Sequence, residues 1–238
     1  MKIDINSDMG EGLNNEHLLM PYITSCNIAC GEHAGSVEIM DKVIALALTH
    51  EVKIGAHPSF PDRENFGRKI MVITDIELRK SLSDQLKLFR ERADLQNIPV
   101  HHVKPHGALY NLVALDEEKA AMVVEVVQQV FERAKIYVPF GSKIEKVALA
   151  KGMEIVYEAF ADRNYHDDLT LVPRTLQNAL ITDADQVLAH VKRIIERSKV
   201  KTIEGNEREI KAQTFCVHGD NPNASNILKA LHQEVVLK

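Results

Sequence analysis

The sequence predicts a closed or nearly closed α/β barrel of TIM-like type, on three observations. Short apolar or β-branched runs alternate with amphipathic helices, which implies parallel strands joined by right-handed crossovers. Seven such runs recur in 238 residues, enough for a barrel. Polar loops rich in His and Asp follow most of the runs, as they do at the active end of such barrels. An open doubly wound sheet is the competing architecture. Its dinucleotide-binding form is disfavoured because no G-x-G-x-x-G follows the first run.

The strands are expected at Lys2–Asn6, Ser25–Ala29, Lys53–Ala56, Val100–Lys104, Ile136–Val138, Glu154–Ala159 and Thr214–Val217. Ser36 caps a helix that places Val37, Met40, Val43, Ile44, Ala47 and Leu48 on one face, at a 3.6-residue period. Thr74 and Glu77 have capping-box spacing ahead of Leu78, Leu82, Leu86 and Phe89. A third helix follows Asp116 and turns Val123, Val127, Val130 and Phe131 inward. Ser142 and Glu145 repeat the capping-box spacing, and Gly152 suits a left-handed helix end. Val187, Val191, Ile194 and Ile195 mark the next helix. The last begins near Asn221-Pro222 and carries Ile227, Leu228 and Leu231. No linker or low-complexity tract divides the chain, so one domain spanning 1–238 is expected.

Composition narrows the functional classes. Hydrophobic residues are 45% and charged residues 26%, ordinary for a chain that buries a full core. The net charge of −5 gives no electrostatic reason to expect nucleic acid or an anionic membrane. No signal peptide pattern and no apolar run of about 20 residues is present. The three cysteines, Cys26, Cys30 and Cys216, have no C-x-x-C spacing and read as reduced thiols. These features together suggest a cytoplasmic enzyme.

The chemistry lies after the strands. Asp8 and Glu11 follow the first; Asn27, Cys30 and His33 lie in or after the second. His57, Asp62 and Arg68 follow the third. Lys104, His106 and Tyr110 follow the fourth, Asp162 and Arg163 the sixth, His218 and Asp220 the seventh. A parallel barrel collects all of these at one end. Imidazoles and carboxylates brought close perturb one another and suit proton transfer or metal binding. Each residue also has a plainer reading. Asp8 and Asp220 suit helix caps, Glu11 a solvated loop, Arg68 and Arg163 structural partners of Asp62 and Asp162, and Cys30 a small packed residue. Lys104 stands out, because a lysine closing an apolar strand is costly unless paired. No G-x-x-x-x-G-K-[ST] occurs, so any ATP is not held by a Walker motif of this chain.

The blocks Asp4-Ile-Asn-Ser-Asp-Met-Gly-Glu-Gly12, Ser25-Cys-Asn-Ile-Ala-Cys-Gly-Glu-His-Ala-Gly35, Ile54-Gly-Ala-His-Pro58, Phe66-Gly-Arg68, Val103-Lys-Pro-His-Gly-Ala-Leu-Tyr-Asn111, Glu158-Ala-Phe-Ala-Asp-Arg163, Val172-Pro-Arg174 and Cys216-Val-His-Gly-Asp220 resemble the LamB/YcsF family over nearly the whole chain. The resemblance implies a seven-stranded barrel of the glycoside hydrolase/deacetylase type. It implies participation in ATP-dependent 5-oxoprolinase, which converts 5-oxo-L-proline, ATP and water to L-glutamate, ADP and phosphate. The partners implied are the B and C subunits, which phosphorylate the lactam. On that reading the catalytic candidates are Asp8, His57, Lys104, His106 and Asp220. Asp8 or His57 would serve as base, with Lys104 and His106 stabilising the anion. Glu11, Asn27, His33, Asp62, Arg68, Tyr110, Asp162, Arg163 and His218 would contact substrate, Arg68 or Arg163 clamping its carboxylate. Asp8, His33 and His57 would form a divalent-metal site suited to Zn²⁺ or Mn²⁺. The chain departs from the family pattern at Leu169 and Asn178, where relatives carry Gly, and at Glu32. Two other readings compete: a stand-alone metal-dependent amidase or deacetylase, and a non-catalytic metabolite-binding subunit.

Overall fold

The computed structural model describes residues 3–236. Its strands are β1 (Asp4–Met9), β2 (Ser25–Ala29), β3 (Lys53–His57), β4 (Val100–Val103), β5 (Lys135–Pro139), β6 (Ile155–Phe160), β7 (Lys199–Lys201), β8 (Glu207–Glu209) and β9 (Thr214–Cys216). Seven of them are parallel and close into a barrel in the order β1-β2-β3-β4-β5-β6-β9, with β9 pairing both β6 and β1. All seven expected strands exist. The first runs past Asn6 to Met9, so Asp8 is a strand residue, and Lys2 lies outside the described residues. Lys104 and Val217 fall just beyond their strands, because β4 and β9 end at Val103 and Cys216.

Around the barrel lie α1 (Glu16–Leu19), α2 (Val37–Thr49), α3 (Asp75–Leu95), α4 (Gly107–Leu115), α5 (Glu117–Val130), α6 (Lys143–Ala150), α7 (Ala184–Arg197) and α8 (Ala224–Leu231). The caps form as read. Ser36 accepts from Ile39 N, Thr74 and Glu77 make the reciprocal box, and Asp116 accepts from Glu118 N and Lys119 N. Ser142 caps α6, but Glu145 turns back to Gly141 N instead of closing a box. Gly152 takes φ +69° after α6, as a left-handed helix end requires. Two residues expected to face inward meet solvent: Leu48 is 53% and Ile195 39% exposed. Each sits at the margin of its apolar stripe, where a period alone does not place the edge.

Four of these elements carry no clear signal in the sequence, the short α1 among them. Helix α4 begins at Gly107, directly after His106, in a stretch that reads as loop. Strands β7 and β8 form an antiparallel hairpin outside the barrel, paired Lys199 to Glu209. Val200 is the single apolar residue in those six positions, so no alternation marks them.

The barrel interior is polar from end to end. Alternation along β1 turns Asp4, Asn6 and Asp8 inward and Ile5 and Met9 toward the helices. Asp4 Oδ2 accepts from Ser25 Oγ (2.6 Å) and Thr214 Oγ1 (2.7 Å). Above it Asn6 Nδ2 donates to Glu158 Oε1 (3.0 Å) and Thr214 Oγ1 (2.7 Å), and Asn6 Oδ1 accepts from Asn27 Nδ2 (2.7 Å). The His102 ring stacks on Tyr137 at 3.8 Å and meets Asn27 Oδ1 through Nε2 at 2.7 Å. The network is nearly complete, with Glu158 Oε2 left without a hydrogen bond, and such networks favour one packing because a misfit strands further buried polar groups.

Gly55 makes room for that ring. A Cβ there would lie 2.2 Å from His102 Nε2, beside a register shift between Ile54 and Gly55. Gly55→Ala is expected to cost stability at the upper end of about 1–3 kcal/mol. A urea midpoint unchanged from the parent would contradict this packing.

A second stability prediction concerns pH. His190 on α7 lies parallel to Tyr165 and meets Phe160 O at 3.3 Å. Burial lowers its pKa from the ordinary 6.5 to about 4. The unfolded chain therefore binds more protons between pH 4 and 6.5, so stability falls as pH drops through that window. His190→Gln should flatten the slope of unfolding free energy against pH by up to about 1 kcal/mol per pH unit. Parallel curves for the two proteins would refute it.

Candidate active site

The barrel's C-terminal end opens into a cavity of about 560 Å³ lined by Asp8, Glu11, His57, Arg68, Lys69, Lys104, His106, Tyr110, Phe160, Arg163, Arg174 and His218, among others. Six of the seven barrel strands, all but β5, send their following loops to this lining or to its immediate support.

On the cavity floor Lys104 sits among acceptors. Its ammonium lies 3.1 Å from Asp8 Oδ1, 3.0 Å from Glu158 Oε1 and 3.1 Å from Cys216 Sγ. Burial would lower its pKa, but Asp8, Cys216 and Glu158 outweigh burial and hold the amine charged. Burial would likewise raise Asp8, and His57 and Lys104 pull it well below the usual carboxylate range. Lys104 thus has its donors engaged. It holds Asp8 in place from the cavity lining.

Above the floor, Glu11, His33, His57 and His106 turn ligand atoms toward one point, all within 4.8 Å of one another. His33 stacks on His106 at 3.8 Å and meets His57 edge-on. Gly107 gives the chain its turn after His106: it has φ +53°, and a Cβ there would lie 2.7 Å from Gly67 O. Asp8 belongs to a different group, with Cys216 and His218. Of the expected trio of Asp8, His33 and His57, the two imidazoles converge with Glu11 and His106, while Asp8 Oδ1 lies 3.4 Å from His57 Nε2. Glu11 is no solvated loop residue, since its side chain is 6% exposed.

The opposite wall carries a carboxylate–imidazole pair. Asp162 is fully buried, and its Oδ1 lies 2.8 Å from His218 Nδ1. Its Oδ2 accepts from His218 N and Asn221 Nδ2, each at 3.1 Å. Burial would raise the Asp162 pKa; His218 and Asn221 lower it by more. Asp162 is ionised, so Nδ1 carries the imidazole proton and Nε2 is the free nitrogen. The ring also lies flat against Phe160 at 5.3 Å.

At the mouth, Asp220 Oδ2 accepts from Arg68 Nη2 (2.6 Å) and Arg174 Nη1 (2.8 Å). Arg68 thus pairs with Asp220 and not with Asp62, and Asp220 caps no helix.

Several other expectations change. Asp62 caps its own turn, accepting from Asn65 N and Nδ2, and is absent from the cavity lining. Asn27 is fully buried and spends its amide on Asn6, Asp8 and His102, so it supports the floor. Asp162 lies behind His218 and is absent from the cavity lining. Arg163 reaches Val172 O (2.6 Å) and Ala179 O (3.3 Å), so its guanidinium holds a loop. Tyr110 lines the cavity with a buried hydroxyl, its pKa raised by burial and then by Glu158. Cys30 is a packed residue: burial pushes its thiol up to about 12. Glu32 points to solvent. Leu169 and Asn178 adopt φ +67° and +66°, so the loop keeps a glycine-like backbone at a cost of about 1–2 kcal/mol for the leucine.

Arg174, Glu158 and Asn6 are site residues that the sequence does not single out. Arg174 belongs to a Val-Pro-Arg segment far from any strand end, and only folding brings it to Asp220. Among the described residues no helix is long and apolar enough to cross a membrane.

Comparison with known proteins agrees with this architecture. The LamB/YcsF family model matches residues 3–238. The A subunit of 5-oxoprolinase from Alkaliphilus metalliredigens (strain QYMF) is 39% identical over 237 residues, covering 98% of this chain and 93% of that one. The corresponding A subunit from Pyrococcus abyssi (strain GE5 / Orsay) is 40% identical, covering 99% and 96%. The lactam utilization protein from Thermus thermophilus superposes with a TM-score of 0.90 at 33% identity, over 98% of this chain and 97% of that one. A GH20 β-N-acetylhexosaminidase from Streptomyces coelicolor A3(2) shares the barrel alone, at TM-score 0.53 and 9% identity over 98% of this chain and 63% of that one. With the barrel order, the shared blocks and a match over all but the first two residues, the chain belongs to the LamB/YcsF family.

Proposed function

We propose that this chain is the ring-opening component of an ATP-dependent 5-oxoprolinase, hydrolysing 5-oxo-L-proline to L-glutamate after partner B and C subunits phosphorylate the lactam. The observation that carries this reading is one cavity with an Asp-oriented imidazole on its wall and two arginines at its mouth. Relatives named as the A component of 5-oxoprolinase support the existence of partners. ATP is then a co-substrate spent through those partners, in keeping with the missing Walker motif. The free, buried cysteines fit a reducing cytoplasm.

A lactam resists water because its amide is resonance-stabilised. Phosphorylation of its oxygen removes that resonance. Water adds to the activated carbon while His218 Nε2 takes its proton. The new hydroxyl then loses its proton as its C=O forms and the C–N bond breaks; His218 returns the first proton to the ring nitrogen, and the hydroxyl proton makes the freed amine an ammonium. The resulting γ-acyl phosphate takes a second water, and its C–O or P–O bond breaks to give the glutamate carboxylate and phosphate. Asp162 holds His218 in the tautomer this needs. Asp8, already ionised, faces the developing positive charge on His218. A divalent ion is part of this reading, and its donors are argued below.

Arg68 and Arg174 bind the substrate carboxylate. Asp220 engages one nitrogen of each guanidinium at the mouth, which leaves other N–H groups for a bidentate contact. Arg174→Ala should raise KM for oxoproline about 10–100-fold, because a hydrogen bond to a charged group is worth about 1.5–3 kcal/mol. A loss confined to kcat would assign the arginine elsewhere.

The direct test is ATP-dependent glutamate release from oxoproline, with and without the B and C subunits. Release by the complex that stops when this chain is omitted supports the reading. ATP-independent cleavage of a small amide by the isolated chain would favour a stand-alone amidase. Tight oxoproline binding with complex activity unharmed by changes at His218 and Asp8 would favour a delivery role.

A further inference from the structure

We propose that Glu11, His33, His57 and His106 form a four-donor site for one divalent transition metal, zinc being the reference ion. The inference rests on the hydrolase reading and deepens it by assigning the ion to a particular donor set.

The outer nitrogen of each ring decides the protonation of the cluster. His57 Nδ1 lies 2.7 Å from Lys104 O, and His106 Nε2 lies 3.0 Å from Phe66 O. A carbonyl only accepts, so both of these nitrogens carry hydrogen. His33 Nδ1 lies 2.9 Å from Ser59 Oγ, whose own proton goes to Phe60 O at 2.8 Å. That nitrogen is a donor too. Ser59 is itself anchored, since Gln85 bonds both its N–H and its carbonyl at 2.9 Å. In the neutral rings the inner nitrogens, His33 Nε2, His57 Nε2 and His106 Nδ1, therefore all present lone pairs.

Those lone pairs meet one another and two carboxylate oxygens, Glu11 Oε1 and Asp8 Oδ1, the latter 3.4 Å from His57 Nε2. His57 Nε2 and His106 Nδ1 are 2.9 Å apart. Glu11 Oε1 lies 3.2 Å from His106 Nδ1, 3.2 Å from His33 Nε2 and 3.9 Å from His57 Nε2. No donor hydrogen remains between them, so the arrangement is repulsive without a cation at its centre. A tetrahedral ion with bonds of about 2.0–2.1 Å separates its ligand atoms by about 3.4 Å, and the observed separations bracket that spacing. Outer-nitrogen bonds to carbonyls and hydroxyls are also how metal-ligating histidines are held.

The other cluster, Asp8, Cys216 and His218, is not the metal site. The Lys104 ammonium already lies 3.1 Å from both Asp8 Oδ1 and Cys216 Sγ and supplies its positive charge. Glu11, His57 and His106 line the cavity, so an ion among them would act as a Lewis acid toward a substrate oxygen.

The test uses the full chain, purified without a His tag, stripped with chelator and titrated with ZnCl₂ by calorimetry. One zinc per chain is expected, with a rise in melting temperature on loading. Ser59→Ala leaves every ligand in place and should weaken zinc about 10-fold by freeing the His33 ring. Glu11→Gln and His33→Gln should weaken it by more. Cobalt loaded in place of zinc should give the visible bands of a four-coordinate N/O site, lost in Glu11→Gln. Cys216→Ser should leave zinc affinity unchanged. No saturable one-to-one phase, or the parent affinity retained in Glu11→Gln and His33→Gln, overturns the proposal and leaves protons alone at the cluster. Circular dichroism of each variant separates loss of a ligand from loss of the fold. Binding is read on the isolated chain without substrate, so its failure would leave the hydrolase reading standing.

Discussion

Lys104→Met is expected to lower unfolding free energy by about 3–5 kcal/mol, the usual cost of removing one partner from a buried charge cluster. The lysine is 2% exposed and its ammonium lies between the Asp8 and Glu158 carboxylates. Without it, two acidic groups share a dry barrel interior. The lost methylene packing is small because Met has similar volume, so the effect isolates the charge. Adding Glu158→Gln should restore part of the loss by removing one stranded carboxylate. Chemical denaturation measures both. A cost below about 1 kcal/mol would mean that water reaches the site and that the charges are screened. Turnover should fall too, since Asp8 loses one of the two main contacts, His57 being the other, that hold its pKa down.

His218→Gln is expected to reduce kcat of the assembled enzyme about 10²–10⁴-fold, the range for losing a positioned general base. KM for oxoproline should change little, because the carboxylate clamp is untouched. Asp162→Asn tests the same pair from behind. Asparagine can offer its amide to Nδ1, which turns the ring to the tautomer with hydrogen on Nε2. That variant should lose kcat in the same direction while stability falls modestly. If His218→Gln kept kcat within about threefold of the parent, proton transfer would belong to another group. Asp162 has a depressed folded-state pKa, so its stabilising contribution is present above the ordinary carboxylate range and is lost only as pH falls through its lower value. An acid limb of activity near neutrality would therefore report an imidazole, not Asp162.

Much of this is legible in the chain itself, because its signals are local. Helix caps at Ser36, Thr74 and Asp116 depend on residues three or fewer positions away. Strand and helix periods depend on a few turns of chain. The alternation of the two then permits few topologies, and parallel closure puts His33, His57, His106 and His218 at one end whatever their separation in sequence. The polar loops, the reactive end and the family blocks follow from that order.

Partner choice is not legible, because it is set by contacts across the barrel. Lys104 finds Asp8 and Glu158, 96 and 54 positions away, so the sequence shows that this lysine needs a partner and only the closed barrel supplies which. Arg68 passes over Asp62 and meets Asp220 beside Arg174. Glu11, which reads as solvated, converges with the three imidazoles in the place expected for Asp8. Alternating side chains tell which residues point into a barrel. Which of them touch depends on strand register and tilt, and those emerge only when the ring closes.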